Sequence, residues 1–455
     1  MDKLPYTGLA KTYNTDRQVP DSAATATAFL SGVKANYGTV GVDQTLPRFQ
    51  CEGLEQAKVP SIFKWSQDEG KNTGLVTSTR ITHATPSVAY AHAGDRYWEN
   101  DKAATGSCPD IARQLIENEV GKNLKVVLGG GRSYFTPKTL VDPEVNTTFG
   151  RRSDGRNLIE EWKQVQQNMS RRAEYVWNKE QFEAVNPQNV DYLLGMFAPV
   201  HLDFELDREE TMSQPSLKDL TAKALDILKK DNKGYFLMVE GGRIDHAHHD
   251  GNAKRSLADG AIFDEAIGYA IDNTDQSDTL IIVTADHSHT FTIGGYPSRG
   301  NDLFGFNDYY HPDSNATDNM PYTTLAYANG PGYVLNQTTG MRQDLTNVDT
   351  SNKEFLQQTA VPTNSESHGG EDVAVMAHGP MSHLFTGVYE QNYIAHTMAY
   401  ASCVGANKEH CNSVPTTEAP CKPTGAGHSI KPSLMTVLSC ILSISLSQGT
   451  KFKGI

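Results

Sequence analysis

Five short apolar runs punctuate the chain: NTGLVTST (72–79), KVVLGGG (125–131), YFLMVEGG (235–242), TLIIVTAD (279–286) and DVAVMAHG (372–379). They are too short for helices, rich in β-branched residues and bounded by Gly or polar residues, so they predict buried strands. Between some of them the period changes. In SLKDLTAKALDILKK, Leu217, Leu220, Ala224, Leu225 and Leu228 share one stripe, and residues 253–270 behave similarly, which predicts amphipathic helices. Strands alternating with helices imply an α/β fold, a large and mostly parallel sheet with helices on both faces. From 297 to 365 the pattern gives way to Asn, Asp, Gly, Ser and Thr with short apolar pieces. That stretch is expected to be an inserted subdomain.

The polar residues that follow the strands carry the chemistry, because open α/β sheets gather ligands at their carboxyl ends. After GLVTST come Arg80, Thr82, His83 and Thr85; after FLMV come Glu240, Arg243, Asp245, His246, His248 and His249. After LIIVTA come Asp286, His287 and His289, and Ser367, His368, Glu371 and Asp372 precede the last run. A lone histidine is more often a surface or satisfied core residue than a ligand, but four such clusters at strand ends outweigh that reading. Asp245 and His249 are one helical turn apart, and Asp286 and His287 are adjacent at a strand end. Imidazole with carboxylate, and without thiolate, suits catalytic zinc.

The stretch VPDSAATATAF (19–29) has two readings. Asp21 or Ser22 can cap the first turn of a helix. Alternatively, the Ser22 hydroxyl sits where a helix N-terminus eases its ionisation and welcomes phosphate. A serine facing two zinc ions is an arrangement for phosphoryl transfer, since two metals about 4 Å apart stabilise both the attacking and the leaving oxygen. Arg96, in YAHAGDRYW, is the candidate for a bidentate clamp on the phosphate.

Composition narrows the class. The 455 residues can bury a large core, and a formal net charge of −14 argues against a nucleic-acid partner. The six cysteines, Cys51, Cys108, Cys403, Cys411, Cys421 and Cys440, form no C-x-x-C pair, so a zinc ribbon or thioredoxin-type site is not expected. Sequons at Asn146, Asn168, Asn315 and Asn336, with an even cysteine count, favour a secreted or surface glycoprotein. The opening MDKLPYTGLAKTYN has no apolar core of a signal peptide.

Taken together, TYNT..QVPDSA.TATA, VEGGRIDHAHHDG, VTADHSHTFTIGGYPSRG and SHGGEDVAVMAHGP resemble the animal alkaline phosphatases, over nearly the whole chain. The resemblance implies a phosphatase domain over 1–404, with 297–365 as its crown-like subdomain, and phosphate monoester hydrolysis at alkaline pH through a phosphoserine at Ser22. It implies one zinc on Asp245, His249 and His368, and a second on Asp286, His287 and Ser22. Magnesium would take Thr85 and Glu240, with His83 in its outer shell; His289 would support the second zinc site and Arg96 would hold the phosphate. It also implies disulfides Cys51–Cys108 and Cys403–Cys411, and a homodimer in which Tyr296 reaches the neighbouring subunit.

Two departures accompany the resemblance. The family has a strand before the nucleophile segment that ends in an aspartate bridging two metals, and this chain begins inside that pattern. Residues 1–455 alone are therefore expected to be a fragment that folds poorly, binds the second zinc weakly and shows little activity. The family's calcium site is also altered: Phe197 is followed by Ala198, and Gln214 stands where an aspartate is usual, leaving Glu144. Calcium binding is not expected, because hard cations need those carboxylates. Two rival readings remain: a sulfatase or phosphodiesterase, the C-x-P-x-R motif of the former being missing here, and a non-catalytic surface protein that keeps the fold.

Residues 405–433 are rich in Pro, Thr and Gly, and the following SLMTVLSCILSISL is too short to span a membrane comfortably. It suits a lipid-anchor signal with Gly425, Ala426 and Gly427 as attachment points. The expected place is the outer face of the plasma membrane, through such an anchor.

Overall fold

The apolar runs are strands of a sheet that helices cover. In the computed structural model, which describes residues 1–104, 106–309 and 316–412, the strands are β1 (Tyr6–Lys11), β2 (Asn72–Arg80), β3 (Val126–Gly130), β4 (Ala173–Val176), β5 (Tyr192–Met196), β6 (Tyr235–Glu240), β7 (Ile281–Thr284), β8 (Ser288–His289), β9 (Phe291–Ile293), β10 (Leu325–Gly330), β11 (Thr359–Pro362), β12 (His368–Gly369), β13 (Val373–His378) and β14 (Gly387–Glu390). Five of them form a parallel sheet in the order β4-β5-β3-β2-β6. In β2, eight of nine residues are buried, which is why a parallel strand covered on both faces reads as an unbroken apolar run.

A second sheet, β14-β1-β13-β7, is mixed: β1 runs parallel to β14 but antiparallel to β13, which is antiparallel to β7. Among the described residues the strands thus fall into separate sheets, with β6 and β7 each hydrogen-bonded on one side. Helices bridge the division on both faces. Phe29, on the helix Ser22–Ser31, packs with Phe236 and Met238 of β6 and with Ile282 of β7 in apolar clusters on one side. Phe263, on the helix Ala253–Asp272, joins Leu237 and Val239 to Ile281 and Val283 on the other. The sequence pattern did not reveal β1 and β5: YTGLAK and YLLGM are short and interrupted by glycine.

The helix over Leu217–Leu228 begins with a capping box, Ser216 and Asp219 each accepting from the other's backbone N–H. Its predicted apolar stripe is buried. Within 297–365, β10 and β11 join β9 in a separate three-stranded sheet. The chain divides into one unit of Met1–Lys408 and another of Glu409–Ile455. Of the second, a short turn of 3-10 helix at Glu409–Asn412 is described. Asn315, Cys421, Cys440, residues 425–427 and the apolar run after 432 lie outside the described residues. No helix among the described residues is long and apolar enough to cross a membrane.

Candidate metal centre

The ends of β6 and β7 and the start of the Ser22–Ser31 helix converge on one polar cluster. Asp21 resolves the two readings of VPDSAATATAF: it is the N-cap, accepting from the N–H groups of Ala23 at 3.2 Å and Ala24 at 3.4 Å. Ser22 is thereby the first helical residue and its hydroxyl is left for other work. Ser22 is buried, with Oγ 3.0 Å from His287 Nε2. Asp21 has further partners: Asn14 Nδ2 and the Gly38 N–H donate to its Oδ1 at 3.2 and 2.7 Å, and Arg96 Nη1 donates to its Oδ2 at 3.0 Å. One carboxylate therefore caps the helix and anchors the arginine beside Ser22. Burial opposes the Arg96 charge, but Asp21, with Tyr97 and Asp245, together more than offset it and the guanidinium pKa is raised.

Asp245 and His249 lie on one side of the helix Arg243–His249, as their spacing predicts. Asp245 Oδ1 is 3.4 Å from His249 Nε2, 3.3 Å from His368 Nε2 and 2.9 Å from His289 Nε2. Burial would raise the Asp245 pKa, yet the histidines around it, His289, His368 and His249, hold it well below the usual carboxylate range. His249 Nδ1 donates to the Glu366 carbonyl at 2.6 Å and His368 Nδ1 to the Pro20 carbonyl at 2.7 Å. A carbonyl can only accept, so in neutral rings both Nε2 atoms present lone pairs, and they face each other at 3.0 Å. Two lone pairs and a carboxylate oxygen aimed at one point repel unless a cation lies among them. These residues fit a divalent metal.

The second set is close by. Asp286 Oδ2 is 3.2 Å from His287 Nε2 and accepts from Thr25 Oγ1 at 3.2 Å. Burial lowers the His287 pKa to about 4, which keeps the imidazole neutral and able to donate a lone pair. With Ser22 Oγ this gives three oxygen or nitrogen donors.

Glu240, at the end of β6, accepts from Thr77 Oγ1 and, at 3.2 Å, from Thr79 Oγ1. Thr85 also bonds to it; burial nevertheless raises its pKa to about 7, and Asp286 adds to the rise. Gly242, just beyond, has no room for a side chain, since a Cβ there would lie 2.3 Å from Thr79 Cγ2. His83 turns toward Arg96, with Nε2 3.3 Å from Nη2, and its ring packs edge-on against those of His201 and His246. Burial and the neighbouring arginines hold His83 well below its ordinary pKa.

Glu366 is a residue that sequence reasoning missed. Its carboxylate accepts from His289 Nδ1 at 2.7 Å, from Thr290 N–H at 2.7 Å and from Thr290 Oγ1 at 2.6 Å. Its main chain meanwhile holds His249. Burial opposes charge on His289, but Asp245 and Glu366 on either side raise its pKa to about 9. Thr77 and Thr79 were also passed over; alternate threonines at the carboxyl end of a strand were the available signal. Sequence offered none for Glu366, which reaches His289 across 77 residues.

The remaining expected residues are scattered. The structure joins Cys51 to Cys108, and Cys403 and Cys411 are each disulfide-bonded. Asn146, Asn168 and Asn336 are exposed, and Tyr296 is 68% exposed. Of the altered calcium set, Glu144 pairs with Arg132 at 2.9 Å, and Gln214 Oε1 accepts from the Asp203 N–H at 2.9 Å.

Comparison with known proteins agrees with this chemistry. Residues 1–404 match the family model described as alkaline phosphatase. The chain is 49% identical to the tissue-nonspecific alkaline phosphatase of Felis catus, over 92% of this chain and 80% of that protein. It is 49% identical to an alkaline phosphatase of Gadus morhua, over 90% of this chain and 85% of that one. Among solved structures, the Thermus thermophilus alkaline phosphatase superposes with a TM-score of 0.62 at 25% identity, covering 88% of this chain and 83% of its own. Nothing in these comparisons favours the non-catalytic alternative. The chain belongs to the alkaline phosphatase family, whose members are metal-dependent hydrolases of phosphate monoesters.

Proposed function

We propose that this protein hydrolyses small phosphate monoesters in two displacements at Ser22. The observation that carries the reading is the buried Ser22 hydroxyl at the first position of its helix, 3.0 Å from His287 and next in the chain to the capping Asp21 that holds Arg96. In the first displacement Ser22 Oγ forms a bond to phosphorus, the bond to the alcohol oxygen breaks and the alcohol leaves. Water then attacks the phosphoserine, releasing phosphate and restoring the hydroxyl. Arg96 holds two non-bridging oxygens throughout, and the free N–H groups of the helix terminus favour the developing negative charge.

Asp245, His249 and His368 would hold one zinc; Asp286, His287 and Ser22 would hold the second; Glu240 and Thr85 would hold magnesium, with His83 beyond it. When bound, these ions supply Lewis-acid stabilisation of the attacking and leaving oxygens and make water more acidic. Activity best above neutrality follows, because both nucleophiles act as their conjugate bases. Calcium has no part in this reading, since Glu144 and Gln214 are engaged elsewhere. An extracellular, glycosylated and lipid-anchored homodimer is part of it. The exposed sequons, the Cys51–Cys108 disulfide and the exposed Tyr296 ring support it.

The test is trapping of the intermediate. Wild-type protein loaded with zinc and magnesium should incorporate labelled phosphate at low pH into the peptide containing Ser22, and Ser22→Ala should incorporate none and lose activity by roughly a thousandfold or more. Full activity of Ser22→Ala with metals bound would overturn the assignment.

A further inference from the structure

The amino end of the parallel sheet concentrates positive charge, in a chain whose formal net charge is −14. A cavity of about 580 Å³ opens there, lined by Lys125, Arg172 and Lys230 together with Asp191 and Asp231. Strand order explains the gathering. Lys125 directly precedes β3, Arg172 directly precedes β4, and Lys230 lies just beyond the helix Leu217–Leu228 that comes before β6. Glu240 closes the other end of β6, so the length of that strand separates this cavity from the metal donors.

The carboxyls offset only part of this charge. Asp191 is shared: it accepts from Arg172 Nε at 2.8 Å and Nη2 at 2.7 Å, and from Lys230 Nζ at 3.2 Å. One negative charge thus faces two positive ones. Asp231 accepts from the Lys233 N–H at 3.0 Å, a bond that shapes the turn before β6. Lys71, Lys125, Arg171 and Lys233 have no carboxylate partner among the described residues. Lys125 and Arg171 rest instead on one buried ring: Lys125 Nζ lies 4.4 Å, and the Arg171 guanidinium carbon 4.3 Å, from the centre of Tyr192. Arg171 also donates to the Lys122 carbonyl at 2.7 Å and to Gln166 Oε1 at 3.1 Å, and Lys71 to the Lys233 carbonyl at 3.3 Å. Neutral groups therefore hold like charges close together, where they repel unless an anion joins them. Because these side chains are already held in place, a bound anion orders little.

We propose that this amino-end surface binds an extended sulfated polysaccharide. The cations run from Arg172 at β4, past Lys125 at β3, to Lys71 and Lys233 at the starts of β2 and β6. That is four strand spacings, or about 19 Å. A single compact anion meets only part of such a row, whereas a chain bearing repeated sulfates meets all of it. The surface is concave at its centre, so a flexible polymer enters where a flat anionic bilayer touches only the rim. The choice of a polysaccharide over a nucleic acid rests on the extracellular reading of the protein; the surface itself is independent of the chemistry at Ser22.

The experiment titrates the metal-loaded full chain into a fluorescein-labelled heparin octasaccharide and follows anisotropy at low and at physiological salt. Lys71→Gln, Lys125→Gln and Lys233→Gln combined should weaken binding roughly tenfold and flatten its dependence on salt. Lys58→Gln, Lys218→Gln and Lys254→Gln combined make the same change in net charge elsewhere and should bind as wild type does. Both variants should keep the wild-type monoesterase rate, which shows that they are folded. Equal binding by wild type and the amino-end variant, or equal binding of a desulfated octasaccharide by wild type, would overturn the proposal. So would release of the octasaccharide by saturating inorganic phosphate at matched ionic strength, which would assign it to the metal centre. An amino-end variant that loses binding to phosphatidylserine vesicles but not to the octasaccharide would make the surface a membrane contact instead. Tighter binding of an oligonucleotide of equal charge would overturn the choice of polymer, and with it the support drawn from the extracellular reading, while leaving the reaction at Ser22 untouched.

Discussion

The strands inside the five-stranded sheet and the two strands that face each other across its division are made of the same kinds of residue, yet they are packed differently. β2 and β3 are buried almost throughout, and Leu75, Val76 and Leu128 are fully enclosed. In β6, YFLMVE, every residue is only half-buried, and in β7 only Val283 is fully buried. Among the described residues each interior strand has a neighbour on both sides, whereas β6 pairs with β2 alone and β7 with β13 alone. Two helices bridge the division without closing the backbone hydrogen bonds along it. An apolar run therefore marks a strand, while its neighbours decide how much of that run leaves water. Glu240 lies at the end of β6, and Asp286 follows the end of β7.

The largest expected effect tests this contrast by truncation. Leu128→Ala, inside β3, should cost roughly 3–5 kcal/mol of unfolding free energy, and Met238→Ala, in β6, roughly 1–2 kcal/mol. Denaturant titration of the two variants under one set of conditions checks it, and equal losses would mean that β6 is as tightly enclosed as β3.

A smaller effect is expected from Asp259 on the bridging helix Ala253–Asp272. Its carboxyl is buried; desolvation raises its pKa to about 7, with Glu205 and Asp207 adding to the rise and the Glu205 N–H and Arg243 opposing it. Because the folded pKa lies above the unfolded value, the group stabilises the fold below about pH 4 and that contribution is lost as pH rises through about 7. Asp259→Asn should remove this pH dependence and gain roughly 2–4 kcal/mol at pH 8 relative to wild type. Stability curves that keep the same slope between pH 4 and 8 in both proteins would show that the helix is solvated there.

The smallest effect concerns how the open region holds metal. Glu366→Gln keeps the shape but weakens the hold on His289 and Thr290, and should lower zinc affinity roughly ten- to a hundredfold. Competition with a chromophoric chelator measures it. Unchanged affinity would mean that Asp245 and the backbone contacts orient the histidines without help.

Much of this was readable in one dimension. The runs that became β2, β3 and β6 were evident because strands of a parallel sheet covered on both faces read as continuous apolar sequence, and β7 and β13, which pair antiparallel, carry runs of the same kind. Asp245 and His249 were paired by helical spacing alone. Long motifs such as VEGGRIDHAHHDG made the family legible before any geometry. By contrast, the choice between Asp21 and Ser22 as the cap could not be made from composition, since both residue types cap helices. The buried hydrogen bonds from Ala23, Ala24 and Arg96 to Asp21 made it.

The sequence by itself determined the α/β class, the placement of acids and imidazoles at strand ends, and the identity of most of the donors around Ser22. Those are local properties, set by period and residue type. Tertiary structure alone decided that Glu366 would clamp His289 and that Arg48 would gather Phe49, Tyr37 and Tyr97. Each of these depends on contacts between residues far apart in the chain, and such contacts depend on which surfaces the folded backbone brings together rather than on the order of residues along it.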